Sequence, residues 1–359
     1  MIYSIFPTKD STIYEDEKLQ NTGLDAILEI TKSIVDNDPL NSRILIKFDT
    51  TDIPSAATSS AKYYLNLFAT EATELPLEYT LYVKAISGSW NMGVGKRSNF
   101  PIVDDGASWA YRDNNVTTSS WFESTDESAS YNYSTYEGGG SWYTNSICSQ
   151  SYDYKTLDLR ANVTTIVNDW VSSSLYGNEG FIVKRTGSLE SNSTSYGSIK
   201  FYSKETHTIF IPKLEVCWDD SSFDTGSLSA LIDSDTEISD IVVYPKNLKR
   251  EYNENAKTKI RLTGRARFPT RTYVTSSFYS TVEYLPSASY YSIRDIASEE
   301  IIVPFDNYTK ISCDSTGNYF NFWCHGLQSN RFYKFVFKVT DTDENKMFFD
   351  DNYIFKIVK

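Results

Sequence analysis

Short runs in which apolar and polar residues alternate, each closed by a turn signal, constrain this chain more than any other feature. Ala26-Ile-Leu-Glu-Ile30, Ser42-Arg-Ile-Leu-Ile-Lys-Phe48, Lys62-Tyr-Tyr-Leu-Asn-Leu-Phe68, Thr80-Leu-Tyr-Val-Lys-Ala85 and Gly180-Phe-Ile-Val-Lys184 follow the two-residue period of a strand with one buried face. Asn37-Asp38-Pro39, Asp52-Ile-Pro54 and Gly177-Asn178 supply the turn chemistry between them. Strands at this spacing, with almost no helical periodicity, predict an all-β chain built as a sandwich or a jelly roll.

One segment breaks the period. In 161–171 the apolar residues Val163, Ile166, Val167, Trp170 and Val171 share one helical face. This predicts a short amphipathic helix plugging an open end of the sandwich, with Trp170 as its anchor. From about 104 to 154 the periodicity fades into Tyr, Ser, Asn, Gly and Trp, as in Tyr131-Asn-Tyr-Ser-Thr-Tyr136 and Gly138-Gly-Gly-Ser-Trp142. That is the composition of a recognition surface, and it predicts a long decorated loop with some local strand. A closing strand, Pro212-Lys-Leu-Glu-Val-Cys-Trp218, is followed by a polar, acidic stretch. The expected division is a first β domain over 1–218 (a jelly roll by the resemblance given below), an acidic linker over 219–240 and a second, immunoglobulin-like β-sandwich over 241–359. Thr258–Thr263, Tyr319–Trp323 and Arg331–Val339 are its clearest strands.

Composition narrows the function classes. The net charge of −13 removes bulk attraction to a nucleic-acid backbone. No apolar run approaches the ~18 residues of a membrane span. The residues after Met1 have neither the basic nor the apolar region of a secretion signal, so a cytosolic site of synthesis is expected. Two histidines leave little material for a zinc site or a Ser-His-Asp triad. The four cysteines, Cys148, Cys217, Cys313 and Cys324, form no CxxC pair and are expected as buried thiols; the spacing of Cys313 and Cys324 does not demand a disulfide. Gly88 to Ser98 has the glycines of a phosphate-binding loop but the wrong spacing, and Asn99-Phe-Pro101 cannot open the helix such a loop needs. Calcium is the ion that loop carboxylates would suit, yet Asp233-x-Asp235-x-Glu237 lacks the EF-hand glycine and terminal glutamate. No cofactor is expected and no enzyme chemistry is assembled.

An ordered set of segments resembles the DNRLRE domain, a jelly-roll module related to carbohydrate-binding modules. It runs through Thr8-Lys-Asp-Ser-Thr12, Asn21-Thr-Gly23, Arg43-Ile-Leu-Ile-Lys-Phe-Asp49, Ile53-Pro54, Ser60-Ala-Lys-Tyr-Tyr-Leu65, Trp90, Ser108-Trp109, Asp169-Trp170 and Gly180-Phe-Ile-Val183. The family's Thr-Trp-Asn context is replaced here by Ser108-Trp109-Ala110. Arg265-Ala-Arg-Phe-Pro-Thr-Arg-Thr-Tyr273, Leu285-Pro-Ser-Ala-Ser-Tyr-Tyr-Ser-Ile-Arg294, Glu300-Ile-Ile-Val-Pro-Phe305, Asn318-Tyr-Phe-Asn-Phe-Trp323 and Asn330-Arg-Phe-Tyr-Lys-Phe335 resemble segments of tailed-phage virion proteins, especially those of large marine phages. The two resemblances together imply a neck, tail or head-decorating virion protein, assembled in the host cytoplasm, whose partners are other virion proteins and copies of itself.

The expected contact residues are Trp109, Trp121, Tyr131, Tyr133, Tyr136 and Trp142 in the aromatic loop, and Arg265, Arg267 and Arg271 in a basic stretch that starts at Lys246. Aromatic anchors and complementary charge would make the contacts. The competing expectation is a carbohydrate-binding module in which Trp109, Trp121 or Trp142 is exposed and stacks on a glycan ring.

Overall fold

The computed structural model describes residues 1–57, 60–115, 119–121, 129–131, 138–152, 157–173, 176–232, 236–269 and 282–359. The chain is all-β and forms two compact units. One comprises 5–56 and 62–216; the other comprises 1–4, 57–61 and 217–359. Tyr133, Tyr136, Arg271, Asp233 and Asp235 lie outside the described residues. No helix among the described residues is long and apolar enough to cross a membrane.

In the first unit a nine-stranded sheet is organised around the Asp38–Phe48 strand. A tight turn at Asp36 and Asn37, both at positive φ, folds it against Ile27–Val35. Further along the same edge it pairs with Pro7–Tyr14, and its other edge pairs with Phe181–Arg185. Tyr79–Ile86 and then Ser141–Tyr152 extend the sheet on that side. Ser141–Tyr152 falls in the segment expected to be mainly loop; its serine-rich sequence hides a strand that the ladder to Tyr79–Ile86 holds in place. A second sheet carries Lys213–Cys217, Lys62–Leu67 and Leu159–Asn162 in that order.

Every residue of Phe181–Arg185 is buried. Since neighbouring side chains on a strand point to opposite faces, this sheet must be covered on both sides. Phe181, Val183 and Arg185 lie on one face. Ile182 lies on the other, in a cluster with Ile13, Leu45, Ile86, Trp90, Ala107, Trp109, Trp121 and Trp142. The predicted helix is an α-helix over Thr164–Asn168 that loosens into a π-helical turn over Asp169–Ser173. Val163, Ile166, Val167 and Trp170 are buried, with Trp170 against Phe181 at 4.8 Å. Val171 is exposed, because the wider turn rotates it off the apolar face.

In the second unit a four-stranded sheet has the order Ile241–Pro245, Lys257–Ala266, Gly317–Trp323, Ser312–Asp314. A five-stranded sheet runs Glu251–Asn253, Lys346–Val358, Phe332–Thr340, Ser289–Asp295, Ile301–Val303. Aromatic rings fill the space between: Phe322 meets Phe335 and Phe355 at 5.1 Å each, and Tyr291 stacks on Phe320 at 4.3 Å. Such pairs are favoured beyond their area by edge and offset geometry.

The described part of the expected acidic linker, 219–232 and 236–240, is grouped with this unit. Phe223 bridges to Cys313, the Asp224 N–H donates to the Cys313 carbonyl at 3.0 Å, and Leu231 is buried against the position of Gly264. Residues 1–4 are also grouped with this unit. The Met1 amine donates to the carbonyls of Trp218 and Tyr308 and pairs with Asp220 at 3.3 Å. All four cysteines are free thiols.

Candidate interaction surface

Three motifs of the first unit meet at Asn21-Thr22-Gly23. The Asn21 side chain is buried and uses its full hydrogen-bonding capacity. Its Nδ2 donates to the carbonyls of Met92 at 2.8 Å and Ala107 at 2.7 Å. Its Oδ1 accepts from the N–H groups of Gly23 at 3.1 Å and Gly95 at 2.8 Å. Thr22 Oγ1 donates to the Thr12 carbonyl at 2.6 Å and accepts from the Thr12 N–H at 3.0 Å, locking the turn to the Pro7–Tyr14 strand. Gly23 is required for close approach, because a Cβ there would lie 2.1 Å from the Met92 carbonyl oxygen. Asp10 ties in a further segment by accepting the Lys204 N–H at 2.6 Å. Burial pushes the Asp10 carboxyl up to about 7, against the opposing effect of the Lys204 bond.

This hub fixes the 91–107 loop. The Asn21 N–H donates to Val103 at 2.8 Å, the Leu24 N–H to Gly95 at 2.9 Å, and the Gln20 side chain to Lys96 and Arg97. Arg97 stacks 4.1 Å from the Tyr14 ring centroid, pairs with Asp16 at 2.6 Å and Glu17 at 3.3 Å, and its N–H donates to Asp25. The glycine-rich stretch is thus a loop clamped by side chains, with no helix behind it. What the clamped loop presents is apolar: Phe100 is 98% exposed, and Val94 and Ile102 are exposed beside it in sequence. Asp16, Glu17 and Asp104 are exposed on this element, as is Lys96, and Arg97 pairs with the first two.

The tryptophans expected at the surface are inside. Trp109 is 1% exposed, and Trp121 and Trp142 are also buried in the layer that covers the sheet. The Trp121 indole donates to the Ser108 carbonyl at 2.8 Å and Trp90 to Glu179 at 2.9 Å. The Gly138-Gly-Gly140 run, at positive φ throughout, lets the chain pass over Trp109; a Cβ at Gly138 would lie 1.7 Å from the Trp109 carbonyl oxygen. Trp109 and Trp142 flank Arg43, whose guanidinium carbon is 4.7 and 5.3 Å from their rings. Arg43 donates from Nε and Nη2 to Glu190 at 3.1 and 2.9 Å and from Nη1 to the Gly139 carbonyl. Lys184 also reaches Glu190, and desolvation together with the Arg43 charge brings its pKa down to about 8. These aromatics are therefore a packed cation–π layer and cannot stack on a sugar. Tyr131 sits on the Ala129–Tyr131 strand beside Ser141.

In the second unit the basic residues alternate along Lys257–Ala266. Arg261 holds Asp314 at 2.7 and 2.8 Å, which keeps that carboxyl well below the usual carboxylate range. Lys259 shares Asp314 at 3.1 Å and lies 3.5 Å from the Tyr319 ring centroid. Arg265 Nη1 donates to the Ala266 carbonyl at 3.0 Å. Arg267 is exposed and is followed by Phe268, also exposed. Phe100 and Phe268 were missed by sequence reasoning. The available signal was a Phe next to a Pro inside a polar stretch, in Asn99-Phe-Pro101 and Arg267-Phe-Pro269 alike.

The two histidines fall in different units, His207 in the first and His325 in the second, where it stacks on Tyr3 at 4.8 Å. No family model matches the chain, and no curated protein matches it.

Proposed function

We propose that the chain is a non-enzymatic structural component of a tailed-phage virion, a neck, tail or head-decorating protein that assembles through contacts with copies of itself and with neighbouring virion proteins. The observation that carries the assembly reading is Phe100: an almost fully exposed aromatic on a loop immobilised by a saturated buried asparagine. An apolar side chain held out in water by so many specific bonds is a pre-organised anchor, since little ordering entropy is left to lose on docking. The virion assignment rests on the sequence resemblances.

Charge favours a second copy as the occupant. Asp104 is exposed four residues from Phe100, whereas Phe268 lies just past the end of the Lys257–Ala266 strand, beside the exposed Arg267. The Phe100 patch with Asp104 on one copy and the Phe268 patch with Arg267 on the next would make a head-to-tail contact, which closes as a ring or grows as a filament. Such a contact weakens with salt. Sedimentation of the full chain at low and high salt, with Phe100→Ser alongside, tests this. Concentration-dependent oligomers lost in Phe100→Ser are expected; a salt-independent monomer at every concentration overturns the reading.

A further inference from the structure

Beneath the same sheet, on the face opposite the tryptophans, the first unit buries positive charge without negative partners. Arg185 is 1% exposed. Its Nη2 donates to the carbonyls of Tyr196 at 3.0 Å and Gly197 at 3.4 Å, while Nε and Nη1 have no partner. Arginine cannot shed its proton to escape this. The Arg185 charge acts on Lys32, which is buried and hydrogen-bonded to the Leu189 and Asn192 carbonyls and the Asn192 side chain. The Tyr196 ring lies near both cations, 5.3 Å from Lys32 Nζ and 5.7 Å from the Arg185 guanidinium carbon. Among the described residues no carboxylate bonds to either cation. The two carboxylates that act on this region are engaged elsewhere: Glu190 by Arg43 and Lys184, Asp158 by the Ala69 N–H at 2.7 Å.

Two more buried donors stand beside Arg185. Tyr79 and Tyr152 are cross-strand partners whose rings stack at 4.6 Å and 4°, and both hydroxyls lack a hydrogen-bond partner. Arg185 pairs with Leu81, two residues along from Tyr79, so all three side chains project from one face. The Arg185 guanidinium carbon is 5.8 Å from the Tyr79 ring centroid. Burial pushes the Tyr79 phenol up to about 12 and raises the Tyr152 phenol well above its ordinary value, so both keep their protons to donate. Four unpartnered donors and an unbalanced buried charge form a set that an anion would complete.

We infer that the first unit binds a small inorganic monoanion of the chloride class between Arg185, Tyr79 and Tyr152. The lining is too buried to leave a hydration shell in place, and stripping that shell from a divalent oxyanion costs far more than from a halide.

The test uses the full chain, unfolded and refolded into sodium gluconate, with chloride then replacing gluconate at constant ionic strength. The unfolding midpoint should rise by about 3–5 °C for each tenfold increase of chloride above its Kd. Arg185→Met should abolish the response and Tyr79→Phe, which keeps the ring and loses one donor, should weaken it. In crystals grown with bromide, an anomalous peak should lie within hydrogen-bonding distance of Arg185 Nη1 and the Tyr79 hydroxyl. A midpoint indifferent to chloride, an unchanged response in Tyr79→Phe and Arg185→Met, or a bromide map with only water-like density at these donors overturns the inference.

Discussion

Replacing Asn21 by alanine should unclamp the Phe100 element while leaving the sandwich behind it standing. The substitution strands the N–H groups of Gly23 and Gly95 and removes a donor from each of the Met92 and Ala107 carbonyls, at a side chain that is fully buried. Each buried N–H left without a partner costs about 1–3 kcal/mol, and carbonyls tolerate the loss better. Counting the two amides and a partial contribution from the carbonyls, the first unit should lose about 3–5 kcal/mol, a large share of a typical domain's stability. Urea unfolding followed by tryptophan fluorescence reads this directly, because Trp90, Trp109, Trp121 and Trp142 all lie in the first unit's core. Hydrogen exchange supplies the local readout: the Gly95 amide should lose protection, whereas amides of Phe181–Arg185 should keep theirs. Asn21→Asp sharpens the case. It retains the acceptors for Gly23 and Gly95 but turns a carboxylate oxygen toward two carbonyls, so it should be at least as damaging at pH 7. Its folded-state pKa is raised, so stability should recover as the pH falls below about 5. A loss under about 1 kcal/mol for Asn21→Ala, with Gly95 still protected, refutes the reasoning.

Other outcomes follow from the same geometry. Glu190→Gln leaves the buried Arg43 and Lys184 without their anion and should cost about 3–5 kcal/mol in chemical denaturation. Asp10 binds a proton more tightly in the folded unit than in the unfolded chain, so stability should fall as pH rises from about 4 to 7 and level off above that. At about 1.4 kcal/mol per pH unit, the interval between 3.8 and about 7 sets an upper bound of about 4 kcal/mol on this effect. Asp10→Asn should flatten that part of the stability–pH profile. Gly23→Ala should disturb the turn as severely as Asn21→Ala, since the new methyl meets backbone rather than a mobile side chain; thermal unfolding of the pair compares them.

Much of the architecture was legible in the sequence because local period and tertiary burial agree. The strands Ile27–Val35 and Tyr79–Ile86 alternate in burial as their runs do, whereas Phe181–Arg185 was read correctly as a strand but is buried on both faces. Ser141–Tyr152 was not legible, because its strand character comes from pairing with a neighbour rather than from its own side chains. The tryptophans misled for a related reason. Trp and Tyr among Ser, Asn and Gly have the composition of a recognition loop, but here the glycines serve to fold the chain back so that the indoles cover a sheet face bearing Arg43 and Lys184. Composition says that aromatics are present; only topology says which way they face. Conversely, Asn21-Thr-Gly23 reads as a turn, while the loop it clamps lies some seventy residues along the chain and no local pattern reports that.

The assembly claim is tested most directly by sedimentation velocity of the full chain across a wide concentration range, followed by a glycan array on the same material. The account predicts oligomers that dissociate with added salt and with Phe100→Ser, and no glycan bound. A chain that stays monomeric at every concentration and binds a defined glycan contradicts it.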